Sequence, residues 1–558
     1  MNSRAVILIG LFACAALAWV GLRHIPQPGF QGVANVTIQK TPSNAQPLSP
    51  HRMVENGEVA RTKTSALSET VKPASHEKDL LFDEHIARFK NLKDLRSFVA
   101  LARTHGFQVL DVSDRLNAVR VRVNDDEKWD RFLSDHPVPP EVSNNYVIRL
   151  PELPDSYTQA RGPLDLKSDY VAFEDHSLAW LGIKDNANWG AGVTVAILDT
   201  GLEDQVRAGR SITQIDMLPD SPSVNGSFDG HATAVASILA GGDPETPGVA
   251  PASDLLSIRV LSSDGTGDSF TLARGIVEAT DRGAKIISMS LGSYGNSPIL
   301  KEAVQYAQQR GLILVAAVGN DGFGEITYPA RYAGVVAVTA VDARGSHLEF
   351  ANTGKEISIA APGFGIDAAW TGNEIVSFSG TSGAVPFVAG AIASLLSQNQ
   401  GMTGRAAADI LSKYSDDSGF PGRDSLFGYG ILDMTRVTNR DLHGIHDAAV
   451  ASQYLQNSLL NGGTMSIGTA IQNRGTEPLS SVRLNIAVNG IPQASYFLKI
   501  DVGQTVSQAL SLSHAQFGGA KTLTVTSSVT LNGVTESNLQ NNTLSSAVYL
   551  FPLPQSAP

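Results

Sequence analysis

The sequence predicts an α/β protein: a parallel sheet with helices on both faces, preceded by a small α+β domain and followed by an all-β sandwich. Three observations predict it. Between about 170 and 438, continuous apolar runs alternate with amphipathic segments, the pattern of strands buried on both faces and the helices that cover them. Before that, residues 82–150 mix a helical apolar period with short period-two stretches. After about 446 the helical period disappears, and alternating segments recur between turn signals, with Asn489-Gly490 and Asn532-Gly533 as hairpin turns.

The 558 residues exceed one domain at about 150 residues each. Lys and Arg number 42 against 54 Asp and Glu, a net charge of −12, which excludes the basic footprint of a nucleic-acid binder. The single cysteine, Cys14, has no partner in the chain, so disulfides do not stabilise the fold.

The segments follow in order. Met1 to Arg4 is positively charged, and Ala5 to Leu22 is apolar without interruption up to Arg23, with Ala16 and Ala18 giving an AxA-like processing site. Residues 1–22 therefore read as a signal peptide or signal anchor, and the protein as exported: periplasmic, secreted, or membrane-anchored by residues 5–22. Residues 23–81, rich in Pro, Ser, Thr, Gln and Asn, read as a disordered linker. In 82–150, LKDLRSFVALARTHG and EKWDRFLSDH are helices, FQVLDV, NAVRVRV and NNYVIRL are strands, and HIARFK is a poorly defined first strand. Residues 151–169 form a polar processing or linker segment. Pro follows both Leu150 and Leu153, which makes Tyr157 or Arg161 the expected cleavage residue.

Within 170–438, VTVAIL, LLSIRVL, IISMSL, LILVAAV and VVAVTAV are buried strands, and TAVASILAG, FTLARGIVEATDRG and ILKEAVQYAQQRG are helices. RVTNRDLHGIHD is polar enough to open a linker over 439–463, and 464–550 form the sandwich.

Three residues at element ends carry the chemistry. Asp199 in VTVAILDTG lies just past a buried strand, where parallel sheets put functional groups, although Asp-Thr-Gly is as often a plain turn. His231 in DGHATAVASILAG opens a helix, where a lone His is more often structural. Ser382 in SGTSGAVPFVAGAIASLL stands at another helix start, where Ser is an ordinary cap. First-turn amides there also point at whatever the hydroxyl attacks.

Together, DTG, HATAVA as a variant of HGTxVAG, and GTSGAVPFVAG resemble the three signature blocks of the subtilisin-type serine peptidases, the subtilases. The resemblance extends to LVAAVGNDG, to SMSLG, and to GYGILD as a closing strand. It implies a serine endopeptidase acting on polypeptides. In that reading His231 takes the proton of Ser382, Asp199 fixes the imidazole tautomer, and an acyl-enzyme forms. Asn320 and the Ser382 backbone N–H would be the oxyanion donors. Gly265, Thr266 and Gly267 in SSDGTGDSF would pair with an extended peptide, flanked on the other side by Ser290, Leu291 and Gly292. Asp321 would sit on the primary pocket's rim and favour basic side chains. Two departures are present: Ala232 replaces a Gly, and Gly383-Ala384-Val385 replaces the commoner Met-Ala-Ser.

Residues 82–150 resemble the inhibitory propeptide of subtilases, which implies an intramolecular inhibitor and a folding template for a slow parallel sheet. IQNRGTEP and ESNLQNNT give the final domain a resemblance to CARDB-type adhesion-related sandwiches, with an extracytoplasmic protein or surface ligand as its implied partner.

Two other readings stand beside the peptidase. An inactive subtilase scaffold serving as an extracytoplasmic binding protein is kept open by Ala232. An α/β-hydrolase esterase needs GxSxG, but position 384 is Ala, and its acid and His would follow the Ser. There is no HExxH, Cys pair or DxDxDG loop, so no cofactor or metal is expected for the chemistry. Asp416, Asp417 and Asp424 read as solvated turns, and structural calcium stays open.

Overall fold

The computed structural model describes residues 39–41, 79–152, 170–202, 212–218, 227–457, 464–513 and 522–549. The export segment, Cys14, Tyr157 and Arg161 lie outside these residues. Among the described residues no helix is long and apolar enough to cross a membrane.

Within the expected linker, Gln39–Thr41 form a strand, β1. The α+β domain follows as β2 (Leu80–Arg88), α1 (Leu92–Thr104), β3 (Gln108–Ser113), β4 (Ala118–Arg122), α2 (Asp126–Asp135) and β5 (Glu141–Arg149). The first strand therefore starts at Leu80, ahead of HIARFK. Both helices have side-chain caps: Asn91 accepts the Asp94 N–H at 3.0 Å, and Asp125 accepts the Lys128 N–H at 2.9 Å. Four antiparallel strands in the order β3-β4-β2-β5 pack one face on both helices, through Ala87, Val119 and Val121 against Phe98, Trp129 and Phe132. Their other face carries Ile86, Ala118 and Ile148 into the core of the next domain.

That domain contains α3 (Ser177–Trp180), β6 (Thr194–Asp199), β7 (Ile212–Asp216), α4 (His231–Ala240), β8 (Asp254–Arg259), β9 (Thr266–Asp268) and α5 (Ser269–Asp281). It continues with β10 (Ile286–Met289), α6 (Pro298–Gln309), β11 (Ile313–Ala317), β12 (Val336–Val341), β13 (Ile359–Pro362), β14 (Ile366–Ala369), β15 (Ile375–Phe378), α7 (Thr381–Gln398) and α8 (Gly404–Lys413). Seven parallel strands run in the order β13-β12-β11-β10-β6-β8-β7. Continuous apolar runs such as ILVAA and VAVTAV are buried along their whole length because α4 and α7 cover one face and α5 and α6 the other. From β6 the sheet grows in both directions, so a crevice opens at the C-terminal ends of β6 and β10. GYGILD forms no closing strand; Ile431 makes isolated bridges to Ala360 and Asp416.

RVTNRDLHGIHD differs from its expected role as a linker. Its first residues belong to α9 (Met434–Asn439), and Arg436 is buried. The sandwich begins with β16 (Ala448–Asn457), inside the expected 439–463 linker, and continues as β17 (Thr464–Asn473), β18 (Leu479–Val488), β19 (Ile491–Ile500), β20 (Thr505–Ser513), β21 (Thr522–Leu531) and β22 (Thr543–Tyr549). One sheet is β1-β22-β21-β18-β19 and the other β16-β17-β20, with Ile467, Leu484, Ile486 and Val525 among the core between them.

Asp416 and Asp417 are not solvated turns. Asp416 pairs with Arg436 at 3.2 Å and Arg474 at 2.8 Å, and Asp417 is 3% exposed, with its N–H donating to Gln472 at 3.0 Å. Polar sequence was a poor guide here because Asp416 is answered by guanidiniums from both sides of a domain contact and Asp417 is buried within it. Asp424 accepts the Leu426 and Phe427 N–H groups, which is a turn role, but a half-buried one.

Candidate active site

The crevice gathers the three candidate residues from three different elements. Asp199 ends β6, His231 begins α4, and Ser382 is the second residue of α7; they are 1%, 4% and 2% exposed. His231 Nδ1 lies 2.9 and 3.0 Å from the two carboxylate oxygens of Asp199. The Thr200 N–H donates to the same carboxylate at 2.7 Å. His231 is walled by the rings of Phe228 and Phe378, with centroids 6.5 and 5.3 Å away. Trp370 packs beyond Phe378 and reaches so near Gly230 that a Cβ there would lie 2.2 Å from the indole. The motif DGHATAVA thus needs its glycine for an aromatic that comes from far along the chain. Ala232, the departure from the family pattern, is fully buried without displacing this arrangement.

Around Ser382 the helix start follows from its sequence. Pro386 has no N–H to return to the Ser382 carbonyl, as an α-helix would require. That carbonyl instead accepts the Ser290 hydroxyl at 3.0 Å, which ties the end of β10 to the start of α7. In return the Ser382 hydroxyl donates to the Ser290 carbonyl at 3.2 Å. Asn320, after β11, is oriented by Thr381, whose N–H and hydroxyl donate to Asn320 Oδ1 at 3.0 and 2.9 Å. This fixes the amide so that Nδ2 faces the crevice.

The crevice is filled by the chain itself. Strand β5 adds antiparallel to β9, with Arg149 opposite Thr266 and Ile148 opposite Gly267. The Leu150 N–H donates to the Gly265 carbonyl at 3.0 Å; on the other side Arg149 and Gly292 exchange both backbone bonds, at 2.9 and 2.8 Å. Asn320 Nδ2 then donates to the Pro151 carbonyl at 2.8 Å. The structure therefore brings Gly265, Thr266, Gly267, Ser290, Gly292, Asn320 and Ser382 around residues 148–151. Leu291, between Ser290 and Gly292 and past the end of β10, is fully buried in the core. Gly292 is constrained by close approach, since a Cβ there would meet Thr327 Oγ1 at 2.3 Å.

Electrostatics preorganise the walls. Asp264 is held below the usual carboxylate range first by the Ser262 hydroxyl, with help from Thr266, and so stiffens the Gly265–Gly267 edge. Tyr294, 8% exposed, is pushed well above the usual phenol range by burial and by Asp321, to which it donates at 2.5 Å. Asn352 also donates to this phenol oxygen, at 2.7 Å. The Asp321 carboxylate is thereby committed to a protein partner. Sequence reasoning missed Asp79, which accepts the Ser293 hydroxyl and Tyr294 N–H at 3.1 and 2.8 Å and pairs with Arg149 at 3.3 Å. No local signal in a polar stretch could have found it.

Comparisons with known proteins agree with this arrangement. The sequence model of the subtilase family, Peptidase S8, matches residues 190–430. The thermostable alkaline protease of Halalkalibacterium halodurans is 38% identical over 256 residues, covering 45% of this chain and 68% of that protein. Subtilisin Savinase of Lederbergia lenta is 34% identical over 255 residues, 45% of this chain and 91% of that protein. In fold, the chain is similar to the crystal structure of fervidolysin from Fervidobacterium pennivorans, a keratinolytic enzyme related to subtilisin. The TM-score is 0.56 at 18% identity, over 85% of this chain and 93% of that one. The chain belongs to the subtilase family and is a subtilisin-like serine endopeptidase.

Proposed function

We propose that the protein is an exported endopeptidase that cleaves through Asp199, His231 and Ser382 by an acyl-enzyme, and that its N-terminal α+β domain is its intramolecular inhibitor. The observation that carries this reading is the Pro151 carbonyl held on the Asn320 amide at the end of a strand lying across the crevice. A carbonyl in that position stands where a substrate's reacting carbonyl would stand.

The chemistry then follows. His231 Nε2 takes the Ser382 proton as Oγ attacks the carbonyl carbon, while Asp199 holds Nδ1 and stabilises the imidazolium. The Asn320 amide and the Ser382 N–H receive the oxyanion, His231 returns the proton to the leaving amine, and water hydrolyses the acyl-enzyme by the same steps.

Residue 151 is a proline, and this matters for the resting state. Continuing the register of the Arg149–Gly292 pair puts residue 151 opposite Ser290, yet Pro has no N–H to offer the Ser290 carbonyl. The Ser382 hydroxyl takes that acceptor, which directs its proton away from His231. The docked strand therefore inhibits both by occupancy and by parking the nucleophile. It also supports Pro151–Glu152 as the processing bond in place of Tyr157 or Arg161. Ile148 and Leu150 are buried, at 0% and 3% exposed, which favours apolar substrate residues at those two alternate positions.

A fluorophosphonate probe should label the processed protein, and Ser382→Ala should abolish labelling while leaving the fold intact. N-terminal sequencing of both proteins tests the inhibitor reading. Identical processing of the wild type and Ser382→Ala would show that the protein does not cut itself.

A further inference from the structure

A row of charges closes the carboxyl ends of three neighbouring strands. In register, Asp199 of β6 stands beside Arg259 of β8, and Arg259 beside Asp216 of β7. Side chains alternate along each strand, and Ile197, Leu255 and Ile212 pack on the α4 side of the sheet, so the three charged side chains leave it on that same side. Neighbouring strands lie about 4.8 Å apart, which sets Arg259, 5% exposed, directly beside the residue that holds His231. At its far end, Nη1 donates to the two Asp216 oxygens at 3.1 and 2.9 Å and to the Leu218 carbonyl at 2.9 Å.

The stem of Arg259 lies under the turn that follows Asp199. Gly201 adopts φ +102°, which residues with side chains rarely do, and a Cβ there would touch Arg259 Cδ, Cβ and Cγ at 3.5, 3.7 and 3.8 Å. A backbone this permissive depends on what it rests on and what it bonds to. Its bonds lead to the site. Thr200 donates its N–H to the Asp199 carboxylate at 2.7 Å, donates its hydroxyl to the Phe228 carbonyl at 3.3 Å and accepts the Ala232 N–H at 3.4 Å. The same Phe228 carbonyl takes the His231 N–H at 3.0 Å. The Asp199 carbonyl is held at 2.9 and 3.2 Å by the N–H groups of Val260 and Leu261, the two residues after Arg259.

We propose that Arg259 is a positioning residue for the Asp199–His231 pair. Its stem supports the Thr200–Gly201 turn, and Asp216 with the Leu218 carbonyl holds the guanidinium so that the stem cannot swing away. Removing the stem leaves a gap under the turn. The turn settles into it, and Thr200 carries the carboxylate and the start of α4 out of line with each other. Asp216 is half-exposed and is answered by water when Arg259 is gone, so the effect falls on geometry and not on a stranded charge. That the pair acts in catalysis rests on the function proposed above; its support by Arg259 does not.

Processed Arg259→Ala enzyme is compared with its parent on a short peptide, per titrated active site. kcat should fall about 10- to 100-fold with KM unchanged, as a misplacement of about 1 Å would cause. Arg259→Lys, which keeps a stem and a cation for Asp216, should recover most of the loss. A purely structural role would lower yield or melting temperature and leave kcat per site alone; that result, or Arg259→Lys no better than Arg259→Ala, would overturn the proposal. The pair can also be read without activity. In Ser382→Ala protein the His231 Nδ1 proton, bonded to Asp199, should give a far-downfield NMR line that adding Arg259→Ala moves or broadens, and an unchanged line would overturn the proposal. A parent that cleaves nothing would sink the catalytic reading, while this line still judges Arg259. Should Arg259→Ala fail to fold, Asp216→Ala decides: it should lower kcat by less at unchanged KM and displace the same line, and the absence of both refutes the role of Arg259.

Discussion

Replacing Asp417 by Asn should stabilise the protein at pH 8 and have little effect at pH 4. Asp417 is 3% exposed at the contact between the peptidase domain and the sandwich. Burial, the largest cause, pushes its carboxyl up to about 6 against hydrogen bonds from the Thr505 side chain and the Gly422 N–H, with the Asp424 charge adding and Arg474 opposing. In the unfolded chain the group titrates near its ordinary 3.8. Between those values the native state binds the proton more tightly, so stability falls as pH rises from about 4 to 6 and stays level above. A shift of roughly 2 units at about 1.4 kcal/mol each makes ionised Asp417 cost about 3 kcal/mol at pH 8. Asn keeps an oxygen for the Gly422 N–H, now accepted at 2.7 Å, but its NH2 group must find an acceptor. A net gain of about 1–2 kcal/mol is the reasonable expectation. The assay is thermal melting of Ser382→Ala protein, free of self-digestion, with and without Asp417→Asn at pH 4 and 8. A variant that melts lower at pH 8, or a difference that does not change with pH, would refute the reasoning.

Three further outcomes follow from the site and the domain contacts. Asn320→Ala should lower kcat about 100- to 1000-fold with little change in KM, a range taken from subtilisin itself and carried over by family membership; steady-state kinetics on a short peptide checks it. Pro151→Ala restores an N–H opposite the Ser290 carbonyl and releases Ser382 toward His231, so self-processing in a time course should run faster than in the wild type. Truncation after Arg440 takes the Asn473 and Arg474 carbonyls from Arg436, leaving it the Ser415 carbonyl and Asp416, and takes Arg474 from Asp416. The shortened protein should therefore lose soluble yield or stability, whereas kcat/KM per titrated active site on a short peptide should stay within several-fold of full length.

The parallel sheet was legible because burial on both faces leaves an unmistakable trace: runs such as ILVAA have no polar side to show. Asp199, His231, Ser382 and Asn320 were legible through short local words, and each stands at an element end that its own sequence creates. What could not be read were partners supplied from a distance. Trp370 against Gly230, Thr381 on the Asn320 amide and Asp79 on Tyr294 depend on tertiary approach, which no periodicity encodes. The 439–463 stretch was misread for a related reason. Polarity there signals a wet linker only when the polar groups face water, and Arg436 instead serves backbone carbonyls and a carboxylate inside a contact.

The two flanking domains are held by contacts of different kinds. The N-terminal domain meets α5 and α6 through partly exposed pairs, Arg115 with Asp281 and Arg88 with Glu302, each worth about 0–1 kcal/mol and weakened by salt. Its buried part combines the apolar contact of Ile86, Ala118 and Ile148 with a polar cluster at Asp268, which caps α5 and receives Arg120 and Asn145 from the other side. Breaking that cluster leaves Asp268 its helix amides and exposes Arg120 to water on the departing domain, so neither charge is stranded. At the other end Arg436 belongs to the peptidase domain, and with the sandwich gone its guanidinium would lose the Asn473 and Arg474 carbonyls, and Asp416 would lose Arg474. Each hydrogen bond lost by that charged donor is worth about 1.5–3 kcal/mol, while the Ser415 carbonyl and Asp416 stay with Arg436. Under the proposed cleavage near Pro151, release of the N-terminal domain must still break the β5–β9 pairing and the Ile86, Ala118 and Ile148 contact, but it strands no charge.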